Sequence, residues 1–340
     1  MGRLKNTYRY QGYLVALHVV ELLASTPAAA GWVRTLARLM RFNAAFGPEH
    51  FHDIAYVRNV EYAIAVDKSA PGRGMRVLDV GSGASILPSY LLSTGAFVHA
   101  SDMDDYVMVQ GAICRGNKTI KEEDLARLTV DVEDIRGTDY PDCHFDRIIM
   151  LSMVEHIHFG DDSRAMREAA RILKPGGRVV LTFDVARDAH ELVYQFPGYL
   201  GFSMDDIRSI REEVRRDPSR RLQEDFTVLK KGHHPGYTRF YNERTMMECL
   251  VRPSGLDLVE RGYYGDGTFV IRAFFDRRRF VEYLYWLQPI LSVLLCKKFD
   301  DPDRLSEKPG AIGYCVLEKP ADAGRGRAQR AARFETGMAL

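Results

Sequence analysis

The 340-residue chain holds few cysteines and fewer tryptophans: Cys114, Cys143, Cys249, Cys296 and Cys315, and two tryptophans in all. The cysteines are odd in number, scattered and without C-x-x-C spacing. That excludes a disulfide framework, argues against a structural zinc site and suits a reducing, cytoplasmic compartment. A surplus of charge is missing too. Forty-seven Lys and Arg balance forty-six Asp and Glu for a formal net charge of +1, and no dense basic block lies inside the folded part, so nucleic acid is not an expected partner. A long apolar run is also absent. The nearest approach, from Arg277-Arg278-Arg279 to Lys297-Lys298, has an apolar body of about 17 residues, the lower limit for a span. Glu282, Gln288 and Pro289 interrupt it. Metal-ligand spacing is lacking as well: His233-His234 is a bare pair whose adjacent side chains diverge on most backbones.

What remains is an ordinary globular composition, 46% hydrophobic and 27% charged, at a length that suits one large domain with additions, or two. Arg3, Lys5 and Arg9 followed by the apolar run 13–24 loosely imitate a secretory signal. His18 and Glu21 break that run, so it reads as a mostly buried helix with a polar stripe at Gln11, His18 and Ser25. Asn6 stands where a myristoylation motif needs Ser or Thr. Three helices fill residues 1–70, over 8–24, 29–42 and 49–66, separated by Pro27 and Gly47-Pro48.

The most informative stretch is Arg76-Val77-Leu78-Asp79-Val80-Gly81-Ser82-Gly83-Ala84-Ser85. Val77, Leu78 and Val80 make a strand buried on both faces. Gly81 and Gly83 allow a tight turn and the close approach of a ligand. The helix over 86–93 directs its free N–H groups at that turn. Asp79 is the anomaly, a carboxylate in an apolar strand that needs a cationic or donor partner. The dinucleotide fingerprint G-x-G-x-x-G fails because its third glycine position is Ile86.

The order D-x-G-x-G resembles motif I of the class I S-adenosylmethionine (SAM) methyltransferases. That resemblance implies an α/β fold: a doubly wound, seven-stranded, mostly parallel sheet with its last strand antiparallel. Here it carries an N-terminal helical arm and helical insertions. It also implies SAM as cofactor and S-adenosylhomocysteine as product, with Asp79 serving the cationic methionine end and Gly81, Ser82 and Gly83 lining the turn. Strand two, 97–101, ends at Asp102, 19 residues after Gly83, where such folds place the acid that binds both ribose hydroxyls; Met103 follows it. Strand three, 126–132, is followed by Asp134 and Ile135, the positions that in the family meet the adenine amino group and ring. Strand four, 147–151, runs into Ser152 and then Glu155-His156, which resembles the family's Glu-His pair beneath the transferred methyl. Asp184 closes strand five, 178–183, after a helix over 162–173 and the turn Lys174-Pro175-Gly176-Gly177. All these residues fall at the carboxyl edge of one parallel sheet, where ligands of such folds bind.

The rest of the chain resembles the family less. Residues 1–70 read as a packing arm or a lid whose Arg58 meets the cofactor carboxylate, and 71–320 as the SAM-binding domain. That domain has insertions at about 185–236 and 263–311, and 321–340 is a tail of disordered composition. Tyr237, Arg239 and Tyr241, just before a helix over 243–251 capped by Asn242, are placed to face the acceptor. Strands six and seven are expected at 256–262 and 312–318. The helix over 277–298 suits a packed lid, a homodimer contact or a peripheral membrane contact.

The expected activity is methyl transfer from SAM to a small-molecule acceptor, O- or N-methylation of a natural-product or sugar-like compound first. Methylation of a lipid-like or quinone acceptor at a membrane surface is the alternative. A non-catalytic SAM-fold interaction protein is a third reading, and an NAD-dependent dehydrogenase is disfavoured by Ile86. Candidate bases are His156, Glu155 and Asp184, with His233 and His234 more remote; no metal is expected.

Overall fold

In the computed structural model the described residues are 2–48, 51, 56–157, 160–187, 189–194, 236–265, 284–300 and 311–321. The N-terminal arm forms three helices, α1 (Gly2–Ala24), α2 (Gly31–Ala44) and α3 (Tyr56–Ser69). The α/β alternation then follows: β1 (Arg76–Val80), α4 (Leu87–Ser93), β2 (Phe97–Asp102), α5 (Gln110–Gly116), α6 (Glu122–Leu125), β3 (Leu128–Val132), β4 (Phe145–Leu151), α7 (Asp161–Ile172) and β5 (Leu173–Val185). A ribbon of β6 (His190–Tyr194) and β7 (Gly236–Phe240) comes next. After it stand a helical stretch opened by α8 (Glu243–Met246), then β8 (Asp257–Gly265), α9 (Gln288–Leu295), β9 (Lys297–Phe299) and β10 (Ala311–Glu318).

The main sheet has eight strands in the order β3-β2-β1-β4-β5-β10-β8-β9. β1 to β5 pair in parallel, and β10 runs antiparallel between β5 and β8. The expected doubly wound sheet with an antiparallel last strand is therefore present. The eighth strand is a correction. The helix expected to reach residue 298 stops at Leu295, and Lys297–Phe299 pairs with Tyr263–Gly265 at the sheet edge. That edge offers unpaired backbone groups, which claim the segment for the ladder. Several boundaries shift by a few residues, and two elements differ in form. β5 starts at Leu173, with Lys174–Gly177 thrown out as a bulge: Phe145 pairs with Leu173 but Arg147 with Arg178. The helix after Asn242 is not uniform, because a π turn at Met247–Val251 interrupts it. Its expected cap is there, with the Asn242 side chain accepting from the Thr245 N–H at 3.0 Å.

Alternation along the buried strands divides the interior into two cores. Val77, Val98, Ile149 and Val180 pack with the arm helices, while Leu78, Val80, Ile148, Met150, Val179 and Leu181 pack with α7 and the α8 stretch. The arm is thus a full layer of the fold. α9 packs against α1 and α3. Its preceding turn sets Trp286 so tightly on Gly12 that a Cβ there would lie 2.5 Å from the indole. Among the described residues no helix is long and apolar enough to cross a membrane. The ends of the 185–236 insertion pair with each other as β6 and β7. The middle of that insertion, with His233 and His234, lies outside the described residues, as do 277–283 of the expected helix.

Candidate active site

Period-two geometry decides which way the strand-end acids project. Leu78 and Val80 face the α7 side, so Asp79 between them faces the arm. In β5, Leu181, Phe183 and Val185 face the α7 side, so Thr182 and Asp184 also face the arm. The site therefore opens between the carboxyl edge of the sheet and α3.

Asp79 is 2% exposed. The Ser82 hydroxyl bonds one part of its carboxylate, and Oδ2 has no hydrogen-bond partner among the described residues. Burial pushes its pKa up to about 7, Ser82 opposes the rise and Asp102 adds to it. A buried carboxylate oxygen without a donor is costly unless a ligand supplies one, so the residues fit the cationic end of the expected cofactor. The adjoining turn leaves room for it. Gly81 and Gly83 have φ of 69° and 47°, and a Cβ at Gly81 would lie 2.9 Å from the Met153 Cβ. Both positions favour glycine, and Gly81 does so for conformation and for contact alike.

Asp102 organises that turn. Its Oδ2 accepts from the Gly83 N–H at 3.0 Å and its Oδ1 from the Asp104 N–H at 3.1 Å. Each carboxylate oxygen keeps a second lone pair for a hydroxyl. Met103 beside it is 68% exposed. Gln110 was not anticipated. It is fully buried in α5, and its Nε2 donates to the Gly83 and Ser85 carbonyls at 2.8 and 3.1 Å. No motif marks it, because the turn it braces is brought to it by the fold. At the next strand end, Ile135 is buried, and Asp134 is held below its ordinary pKa by hydrogen bonds from Arg136. Arg136 also reaches Asp161 at 2.9 Å. The expected adenine contact at Asp134 is thus already an ion pair.

The arm contributes more than Arg58. α3 brings Glu61, 1% exposed, against the ends of β4 and β5. Glu61 Oε1 accepts from Thr182 Oγ1 at 3.2 Å and from the Ser152 hydroxyl, and Oε2 accepts from Arg58 Nη1 at 2.9 Å. Glu61 in turn raises the Arg58 pKa. The guanidinium side chain is 39% exposed, and the Glu61 bond leaves most of its five donors for other partners. The Tyr62 hydroxyl bonds Ser85, and burial drives its pKa up, with Arg58 opposing and Asp79 adding to the rise. Glu61 and Tyr62 have no sequence signal beyond their helix, since their role depends on where α3 docks.

Of the Glu155-His156 pair, the structure buries the first and exposes the second. Glu155 is 1% exposed with Oε2 unpartnered among the described residues. Burial holds its carboxyl well above the usual range, and Asp184 pushes the same way. Asp184 Oδ2 accepts from Thr238 Oγ1 at 3.3 Å. The three residues expected at the acceptor divide. Arg239 is 5% exposed and donates to Asp162 Oδ2 at 2.7 Å. Tyr241, fully buried, donates to the same oxygen at 3.1 Å. Both are engaged in a buried network rather than facing an open pocket, because β7 turns them inward against α7. The Tyr237 side chain lies outside the described residues.

Residues 78–181 match the family described as "Methyltransferase domain". A ubiquinone biosynthesis O-methyltransferase of Alkalilimnicola ehrlichii is 32% identical over 109 residues, covering 32% of this chain and 41% of that protein. The methyltransferase GfsG of Streptomyces halstedii is 33% identical over 116 residues, 34% of this chain and 39% of that protein. The chain thus spans less than half the length of these curated relatives. Among solved structures, the 4+2 cyclase SpnF aligns over 76% of this chain and 80% of its own at 16% identity, with a TM-score of 0.47.

Proposed function

We propose that this chain, which belongs to the class I SAM-dependent methyltransferases through residues 78–181, methylates a hydroxyl or amino group of a small molecule. The observation that carries the proposal is a pair of buried acids at adjoining strand ends, Asp79 and Glu155. Each has a carboxylate oxygen without a partner among the described residues. One such oxygen suits the donor's cation, the other the acceptor's proton.

When bound, SAM supplies a methyl group already activated on a sulfonium. The protein's own work is alignment, exclusion of water and removal of a proton. Asp79 and Arg58 would hold the amino and carboxylate ends of the cofactor, Gly81 to Gly83 would admit it, and Asp102 would bind the ribose hydroxyls. Ile135 would supply an apolar contact to the ring. Glu155 takes the acceptor's proton at Oε2 as the new bond to carbon forms. Its raised pKa makes its carboxylate a stronger base than an exposed glutamate. Exposure sets His156 behind it.

Within this class a ring hydroxyl of a quinone-related acceptor is the reading the relatives favour, since the first of them is a ubiquinone biosynthesis O-methyltransferase. Sugar-like and other natural-product acceptors remain the broader expectation. Two measurements test the proposal. Calorimetry is expected to show binding of S-adenosylhomocysteine and none of NAD; the reverse would overturn it. A screen with methyl-labelled SAM against catechols, sugars and amines then identifies the acceptor class, and label on none of them would leave the fold as a binding module.

A further inference from the structure

We propose that Glu61 is a positioning residue: it holds Ser152 in a left-handed conformation and so fixes the turn that backs the cofactor loop and carries Glu155. The inference rests on the methyltransferase reading for its ligand, but it concerns a residue that lies outside the family match and before the first strand.

Ser152 stands directly after β4 with φ of 42°, one of few non-glycine residues with positive φ among the described residues. A side chain in that region is strained and persists only where its surroundings enforce it. Two contacts enforce it here. The Ser152 N–H donates to the Thr182 carbonyl and hydroxyl oxygens, each at 3.1 Å, and its own hydroxyl donates to Glu61. The same Glu61 oxygen accepts from Thr182 Oγ1 at 3.2 Å. One buried carboxylate oxygen therefore ties α3 to the ends of both β4 and β5. Its other oxygen is neutralised by Arg58, which keeps an ionised group tolerable at 1% exposure.

The consequence reaches both halves of the site. Met153, next to Ser152, abuts Gly81, with 2.9 Å left for any Cβ there. Two residues further on is Glu155, fully inside the short turn Val154–His156. Releasing Ser152 to an ordinary negative φ redirects Met153 and Glu155 together. The arm, which the family match does not include, thereby becomes part of the machinery that shapes the donor site.

The test separates positioning from mere stability. Glu61→Leu is expected to weaken S-adenosylhomocysteine binding about tenfold, the scale of one strained residue released. Glycine adopts positive φ without strain, so Glu61→Leu with Ser152→Gly is expected to recover most of that loss. A role of Glu61 confined to arm stability predicts no recovery, and an unchanged affinity in Glu61→Leu overturns the inference outright. Should Glu61→Leu fail to fold by circular dichroism, Glu61→Gln serves in its place. The weaker, uncharged acceptor is expected to cost about threefold, again recovered by the glycine. Wild-type protein that binds no S-adenosylhomocysteine would defeat the methyltransferase reading. Normal wild-type binding without the rescue defeats this inference alone.

Discussion

Protonation of Asp79 is expected to control cofactor affinity near neutral pH. Its pKa stands at about 7 because burial penalises the carboxylate, whereas a bound ammonium would favour the ionised form and pull the value down. A ligand that requires the carboxylate therefore binds more weakly by a factor of one plus ten to the power of pKa minus pH. That is about elevenfold at pH 6, about twofold at pH 7 and negligible at pH 8. Binding must also expel the proton that free Asp79 holds, about 0.9 per ligand at pH 6 and about 0.1 at pH 8. Calorimetric titration with S-adenosylhomocysteine in two buffers of different ionisation enthalpy reads this number from the slope of apparent against buffer enthalpy. Asp79→Asn should bring the slope at pH 6 close to zero and weaken binding at pH 8. Wild-type protein with no buffer dependence at pH 6, or the same slope in Asp79→Asn, would refute the reasoning. The sign also carries into stability. Between the ordinary value of 3.8 and about 7 the folded state holds more protons than the unfolded one. Stability of the unliganded protein then falls as pH rises across that window, by about 4 kcal/mol for the full shift.

Other perturbations test the remaining assignments. Glu155→Gln should lower the methyl-transfer rate by about 10²- to 10⁴-fold while S-adenosylhomocysteine affinity changes little; an unaltered rate removes Glu155 as the base. Arg239→Met leaves the buried Asp162 carboxylate without its cation and should cost about 3–5 kcal/mol in urea unfolding, whereas a loss confined to acceptor KM would restore Arg239 to the acceptor pocket. Glu168 is held down to about 2 by Arg171, with Thr138 assisting. The folded pKa is depressed, so its contribution is present above 4.5 and lost as pH falls through 2. Glu168→Gln should flatten acid unfolding over that range.

How far the sequence carried the interpretation depended on how local each feature was. The strand-turn-helix at Asp79–Gly83, the acids at Asp102 and Asp134 and the Asn242 cap rest on near neighbours along the chain, and each lies in the element expected for it. Alternation even decided the face toward which Asp79 projects, because a strand's period is fixed by its backbone. His156 looked as good as Glu155 in sequence, since neighbours in a one-turn segment differ only in which side the fold covers. Arg239 and Tyr241 were legible as polar residues near the site, but their pairing with Asp162 joins positions 77 and 79 residues apart. Glu61 and Gln110 carry no local mark at all. Glu61 meets Thr182 across 121 residues, and only the docking of α3 on the arm-side face of the sheet brings them together. The sequence thus determined the strand ends and the glycine turn to which the donor half of the proposed site is assigned. Tertiary structure alone decided which acid is buried, which cation is already paired, and that α3 of the N-terminal arm brings Glu61 against Ser152 and Thr182. Those properties belong to packing between distant segments, which no local pattern encodes.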